Sequence, residues 1–142
     1  MVTKWDRRFL ELAHVISTWS KDPSTQVGCV IVRPNRTIVS LGFNGFPRGV
    51  EDTLERLGDK LFKHECVVHA EENALLTARE SVFGYTLYCS PVMPCSRCAA
   101  KIIQAGIKRV VSPPARSAGN VLNYDLTRTL FEEALVAFET SI

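Results

Sequence analysis

No long hydrophobic run occurs in this chain: nowhere do about 18 apolar residues follow one another, so no segment reads as a membrane-spanning helix. Nor does Met1-Val2-Thr3-Lys4-Trp5-Asp6 hold the apolar core of a leader peptide. Charge of one sign is equally scarce. The formal net charge is +2, and no block of like charges or basic stripe of the kind nucleic-acid binders display is visible, which favours a small ligand over a polymer. The five cysteines make no even disulfide framework, and 142 residues at 46% hydrophobic content can bury a core without covalent staples. Free thiols with no leader imply a reducing cytoplasm, and the length implies a single domain over residues 1–142.

What the chain does contain is concentrated between residues 69 and 98. His69-Ala70-Glu71 opens one helix-like stretch and Pro94-Cys95-Ser96-Arg97-Cys98 opens another. One imidazole and two thiolates are a zinc ligand set that leaves a coordination position for water. The spacing of Cys95 and Cys98 puts both sulfurs in the first turn of a helix, where unpaired N–H groups and the helix dipole favour thiolate. Two sulfurs and one nitrogen select zinc, with iron the weaker occupant, over hard cations that prefer oxygen. Glu71, two residues beyond His69, is free to carry protons between a metal-activated water and a substrate.

Periodicity sketches the rest. Trp5, Phe9, Leu12, Ile16 and Trp19 form one apolar stripe of a first helix, with His14 off that stripe. Val27 to Val32 and Thr37 to Phe43 read as a strand pair, Glu51 to Lys63 as a charged and weakly helical cover, and Thr86 to Cys89 and Lys108 to Ser112 as further strands. Leu126 to Leu135 reads as a last helix and Val136 to Phe138 as an edge strand. Alternation of this kind predicts an α/β fold, with helices on both faces of a mixed sheet of four or five strands. Gly106 is placed to end the second metal helix.

The H-x-E and P-C-x-x-C pair is the signature of zinc nucleobase deaminases. Together with Ser20-Lys21-Asp22-Pro23-Ser24-Thr25-Gln26-Val27-Gly28, Gly42-Phe43-Asn44-Gly45-Phe46-Pro47-Arg48-Gly49 and Ala105-Gly106-Ile107-Lys108-Arg109-Val110, it resembles the deoxycytidylate deaminase family from about residue 3 to residue 111. The resemblance implies the three-layer α/β/α cytidine deaminase-like fold, one catalytic Zn2+ on His69, Cys95 and Cys98, and a homo-oligomer, with hexamers frequent in this branch. It implies hydrolysis of dCMP to dUMP with release of ammonia, by zinc-bound hydroxide attack at cytosine C4 with Glu71 as proton shuttle.

Around that chemistry stand the substrate contacts. The amide of Ala70 is expected to hold the attacking oxygen, and the carbonyls at Ser90-Pro91 to accept from the substrate amino group. Asn44 offers a donor and an acceptor to a sugar or its phosphate neighbourhood, the alternative being an Asx turn. Lys21 and Thr25, joined by Arg48 and Arg116, are expected at the phosphate; the plain alternative for residues 21–26 is a helix-to-strand turn. Where many members place a tyrosine and acidic residues after the fourth strand, this chain has Arg116, with Tyr124-Asp125 farther on. That departure leaves open another small cytosine nucleoside, nucleotide or pathway intermediate, and whether nucleoside triphosphates regulate the enzyme. Base editing of tRNA or DNA is the remoter reading, and no nucleic-acid or membrane partner is expected. His64 and Cys66 raise the question of a second metal that no third ligand answers.

Overall fold

The computed structural model describes residues 1–115 and 121–141, the side chains of Val121 and Leu122 excepted. Helix α1 (Lys4–Ser17) starts where Thr3 and Asp6 form a capping box, each satisfying a backbone N–H of the other. Its buried face is Phe9, Leu10, Ala13 and Ile16. The two tryptophans of the expected stripe stay largely outside, Trp5 at 38% and Trp19 at 54% exposure. Helical spacing puts residues on one side of a helix; it does not say how far the neighbouring sheet extends beneath its ends.

The sheet has five strands in the order β2-β1-β3-β4-β5. They are β1 (Gly28–Val32), β2 (Ile38–Phe43), β3 (Thr86–Ser90), β4 (Arg109–Ser112) and β5 (Ala137–Thr140). Strand β1 pairs antiparallel with β2 and β3, whereas β3–β4 and β4–β5 are parallel. Every residue of β1 is buried, the mark of a strand covered on both faces. Val30, Val32, Tyr88 and Val111 face α1. Cys29, Ile31, Leu87, Cys89 and Val110 face the opposite layer, packed with residues of α4 (Ala70–Thr77), α5 (Ser96–Gln104) and α6 (Val121–Glu133).

Two glycines set how closely the layers approach. A Cβ on Gly28 would lie 2.0 Å from the Ala13 carbonyl oxygen of α1, and one on Gly42 would lie 2.6 Å from Ala70 O and Ala74 N of α4. Helix α4 thus rests directly on β2, which fixes the height of its first turn above the sheet. The stretch read as one weak helix divides into α2 (Leu54–Gly58) and α3 (Lys60–Cys66). Extended Asp59 ends the first and caps the second through Phe62 N–H. Helix α6 begins at Val121, earlier than its apolar pattern suggests.

Remote from these layers' chemistry, Asp6 is 2% exposed and accepts from Tyr88 Oη at 2.7 Å and from both Arg109 terminal nitrogens at 2.8 and 2.9 Å. Arg109 also pairs with Glu139. The network joins α1, β3, β4 and β5 and surrounds the buried Asp6 carboxylate with donors.

Candidate metal centre

The N-termini of α4 and α5 converge at the end of β3. His69 is the N-cap of α4, in extended conformation, and its backbone N–H donates to Glu72 at 3.2 Å. Glu72 in turn pairs with Lys101 of α5 at 2.5 Å. Cys95 is the N-cap of α5 and Cys98 lies in its first turn. His69 Nδ1 stands 3.5 Å from Cys95 Sγ and 3.3 Å from Cys98 Sγ. All three donor atoms lie within 4.8 Å of one another, the one cluster of its type among the described residues.

This donor set fits zinc. With Zn–S near about 2.3 Å and Zn–N near about 2.0 Å, a tetrahedral ion holds nitrogen and sulfur roughly 3.5 Å apart. The observed separations match, and the nitrogen presented to the sulfurs is Nδ1. Hydrogen bonding from Cys98 draws the Cys95 thiol down to about 4, overcoming its burial, while the proton that Cys98 shares with Cys95 pushes Cys98 far up. Contact with Cys95 raises His69. Sulfur and nitrogen so placed already compete for protons, which a cation would replace.

Glu71 follows in the first turn of α4 and is 4% exposed. Burial pushes its carboxyl above the ordinary range against the opposing pull of its own backbone N–H and of His69. The same burial, with Glu71 nearby, raises the thiols of Cys29 and Cys89. These two are directly opposed on β1 and β3, and they remain thiols. Cys89 Sγ donates to Val92 O at 3.2 Å, bracing the turn that leads to Cys95.

The remaining residues singled out in the sequence divide into several groups. Ala70 is wholly buried in the first turn of α4, and Ser90 is 5% exposed at the end of β3, preceding a cis peptide bond to Pro91. Asn44 is 8% exposed, and its amide joins two segments: Oδ1 accepts from Val27 N–H at 2.8 Å and Nδ2 donates to Thr25 O at 2.9 Å. Lys21 is exposed and pairs with Asp52 at 2.8 Å. Thr25 is exposed, and its N–H donates to Asp22 at 3.1 Å. Arg48 is exposed on the loop after Gly45, which bridges to Val68. Arg116 lies outside the described residues. Lys21 and Asn44 share a cavity of about 280 Å³ with Asp22, Asp52, Lys63 and the rings of Trp19 and Phe43, while the metal-cluster residues line no part of it. His64 and Cys66 belong to no three-ligand cluster among the described residues.

Several supporting residues gave no signal in the sequence. Asn123 of α6 accepts from Ser96 N–H at 2.9 Å and donates to Ser96 Oγ at 3.1 Å, capping the helix that carries both cysteines. Thr127 donates to Pro94 O at 3.0 Å. Lys63 of α3 donates to Ser24 Oγ at 2.8 Å and to Asp22 at 3.3 Å, tying that helix to the 21–26 connection. Each partner lies far off in the chain, so only the fold brings it into place.

Comparison with known proteins gives one consistent picture. Residues 3–113 match the model of the cytidine and deoxycytidylate deaminase zinc-binding region. An uncharacterized deaminase from the luxG 3′ region of Aliivibrio fischeri is 48% identical over 113 residues, covering 80% of this chain and 75% of that protein. A probable deoxycytidylate deaminase of Caenorhabditis elegans is 45% identical over 111 residues, covering 75% of this chain but only 56% of that protein. The dCMP deaminase of cyanophage S-TIM5, solved with dCMP and dUMP, superposes with a TM-score of 0.78 at 28% identity over 99% of both chains.

Proposed function

This chain belongs to the cytidine and deoxycytidylate deaminase family, and from that premise we propose that it is a zinc-dependent hydrolase converting dCMP and water to dUMP and ammonia. The observation that carries the reading is the meeting of His69, Cys95 and Cys98 beside the buried carboxyl of Glu71.

Zinc on those three residues supplies Lewis-acid activation of a water molecule. Glu71 takes the proton that water loses and returns protons to N3 of the cytosine ring and to the departing amino group. The water oxygen ends as the C4 carbonyl of uracil, and the C4–N bond breaks to release ammonia. Burial suits Glu71 to this task, because a carboxyl raised above its ordinary range gives back a proton as readily as it takes one. The backbone N–H of Ala70, at the first position of α4, supports a role in steadying charge on the oxygen. The carbonyl of Ser90 would accept from the substrate amino group.

Asn44 orients the sugar in this reading, with one amide hydrogen beyond the bond it gives to Thr25 O. Lys21, Thr25, Arg48 and Arg116 supply the phosphate contacts; for Lys21 this means sharing its charge with Asp52 or exchanging partners. The chain acts as one domain over residues 1–142, as a homo-oligomer and in the cytoplasm. No helix among the described residues is long and apolar enough to cross a membrane.

The deciding experiment compares ammonia release from dCMP, deoxycytidine, dCTP, CMP and a short cytosine-containing DNA strand, with protein of measured zinc content. A preference for dCMP that falls when Lys21 is replaced by Gln supports the phosphate assignment. Equal turnover of deoxycytidine removes it, and absence of turnover on every substrate at full zinc occupancy overturns the activity.

A further inference from the structure

Among the described residues β2 is an edge strand, with β1 on one side and no strand on the other. Just past its end, Asn44 N–H donates back to Val27 O at 3.4 Å, toward β1. Alternation along an antiparallel ladder then turns the carbonyls of Phe43 and Leu41 outward, away from β1. An outward carbonyl on an edge strand ordinarily faces water or a further strand. Here both meet side chains of α4: Asn73 Nδ2 donates to Phe43 O at 2.7 Å, and Thr77 Oγ1 reaches Leu41 O at 3.4 Å.

The Asn73 bond is the shorter, and it borders the site at both of its ends. Asn73 follows Glu71 and the ligand His69 on the same helix, and Phe43 immediately precedes Asn44. On the other side of Asn44, Gly45 and Val68 exchange two backbone bonds, at 3.1 and 2.8 Å, and Val68 immediately precedes His69. Asn44 is thus flanked on both sides by bonds to the segment that carries His69 and Glu71. From the opposite direction Ser20 Oγ donates to its carbonyl at 2.8 Å, and its own amide is tied to Thr25 and Val27. Docking of α4 on β2 does not require Asn73, because Ser40 Oγ donates to Ala74 O at 2.7 Å and Gly42 lets the two backbones touch. Nor does helix formation, for which alanine would serve better. What the amide adds is a fixed distance between its own helix and the residue next to Phe43.

We propose that Asn73 is a positioning residue for the reaction: by holding Phe43 O it fixes the separation between Asn44, which orients the sugar, and Glu71, which moves protons at the base. The assignment rests on the reading of Asn44 as the sugar contact. A nucleotide held by its sugar while its base is attacked at C4 is sensitive to that separation, because small displacements of a reacting atom cost much rate. Asn73 touches neither substrate nor metal in this role and acts only through Phe43 and Asn44.

The test uses the zinc-loaded protein with two substrates, dCMP and 2′,3′-dideoxycytidine monophosphate, which lacks the one hydroxyl that the deoxyribose of dCMP leaves free. The parent should favour dCMP. Asn73→Ala should lower kcat/KM for dCMP about fivefold, the equivalent of one ordinary hydrogen bond, while turnover of the dideoxy substrate and zinc content stay unchanged. Ser40→Ala, which removes a neighbouring tie between α4 and β2, should leave the ratio of the two substrates as in the parent. Equal loss on both substrates in Asn73→Ala overturns the proposal, since the residue would then act on the metal helix as a whole. So does an unchanged kcat/KM with a lowered thermal midpoint, which would confine Asn73 to covering the strand edge. A parent that turns over both substrates equally removes the sugar contact of Asn44 and the proposal with it, a failure that the parent alone reveals before any variant is made.

Discussion

Glu71 has its carboxyl almost wholly out of water and beside three groups that themselves bind protons or metal. Replacing it with Gln keeps the shape and removes the exchangeable proton. Turnover of dCMP should fall by about 10³-fold, the middle of the range for a general acid–base group, with zinc content unchanged. Zinc retained together with full turnover would remove the proton role. Cys98→Ala should act differently, lowering zinc stoichiometry and the thermal midpoint together, since metal binding and folding are linked. Its deficit in midpoint relative to the parent should disappear when both are measured in excess chelator. These residues were legible because their chemistry is local: H-x-E and C-x-x-C fix the donors on two helix starts. The bonding of Asn44 was not legible, because its partners Thr25 and Val27 reach it only across the strand pair.

The metal centre depends on how the elements carrying it are ended and stacked. Helix α5 begins with no side-chain cap of its own, and Asn123 of α6 supplies one from outside. Asn123→Ala should lower stability by about 1 kcal/mol, the usual loss of a capping bond. Because the cap sits on the cysteine helix, it should also weaken zinc retention against a competing chelator. A variant destabilised with unaltered zinc affinity would confine Asn123 to helix capping. Strands and helices were visible from periodicity, and all five strands lie where apolar runs suggest them. The ends of α1 and the division between α2 and α3 were not, since exposure of Trp5 and Trp19 and the turn at Asp59 depend on neighbouring layers.

Across the whole molecule, chemistry lies at one end of the sheet and an ionic lock far along it. Burial alone would raise the carboxyl of Asp6, yet the bonds from Arg109, Thr3 and Tyr88 hold it well below its ordinary value of 3.8. A depressed carboxylate contributes stability that is fully present above that ordinary value and is lost as pH falls through the folded-state value. Asp6→Asn should therefore destabilise the protein by about 3 kcal/mol at neutral pH, leaving Arg109 without its buried partner. The gap between parent and variant should narrow as pH falls below 4, checked by denaturant unfolding at a series of pH values. A gap independent of pH would assign the loss to packing instead. The layered α/β class was accessible from alternating patterns, but this lock was not, because Asp6, Tyr88, Arg109 and Glu139 are scattered through the chain.

Gly28 and Gly42 face opposite layers of the sheet, each with helix backbone where a methyl group would be. Sequence drift in this protein is thereby bounded in an uneven way. Side chains over the rest of the sheet can trade volume with one another across generations, since a larger neighbour can be answered by a smaller one. At these two places the obstacle is main chain, which no second substitution can shrink. A saturation library selected for activity should show both as positions where every alternative is lost, with no compensating partner elsewhere in the survivors.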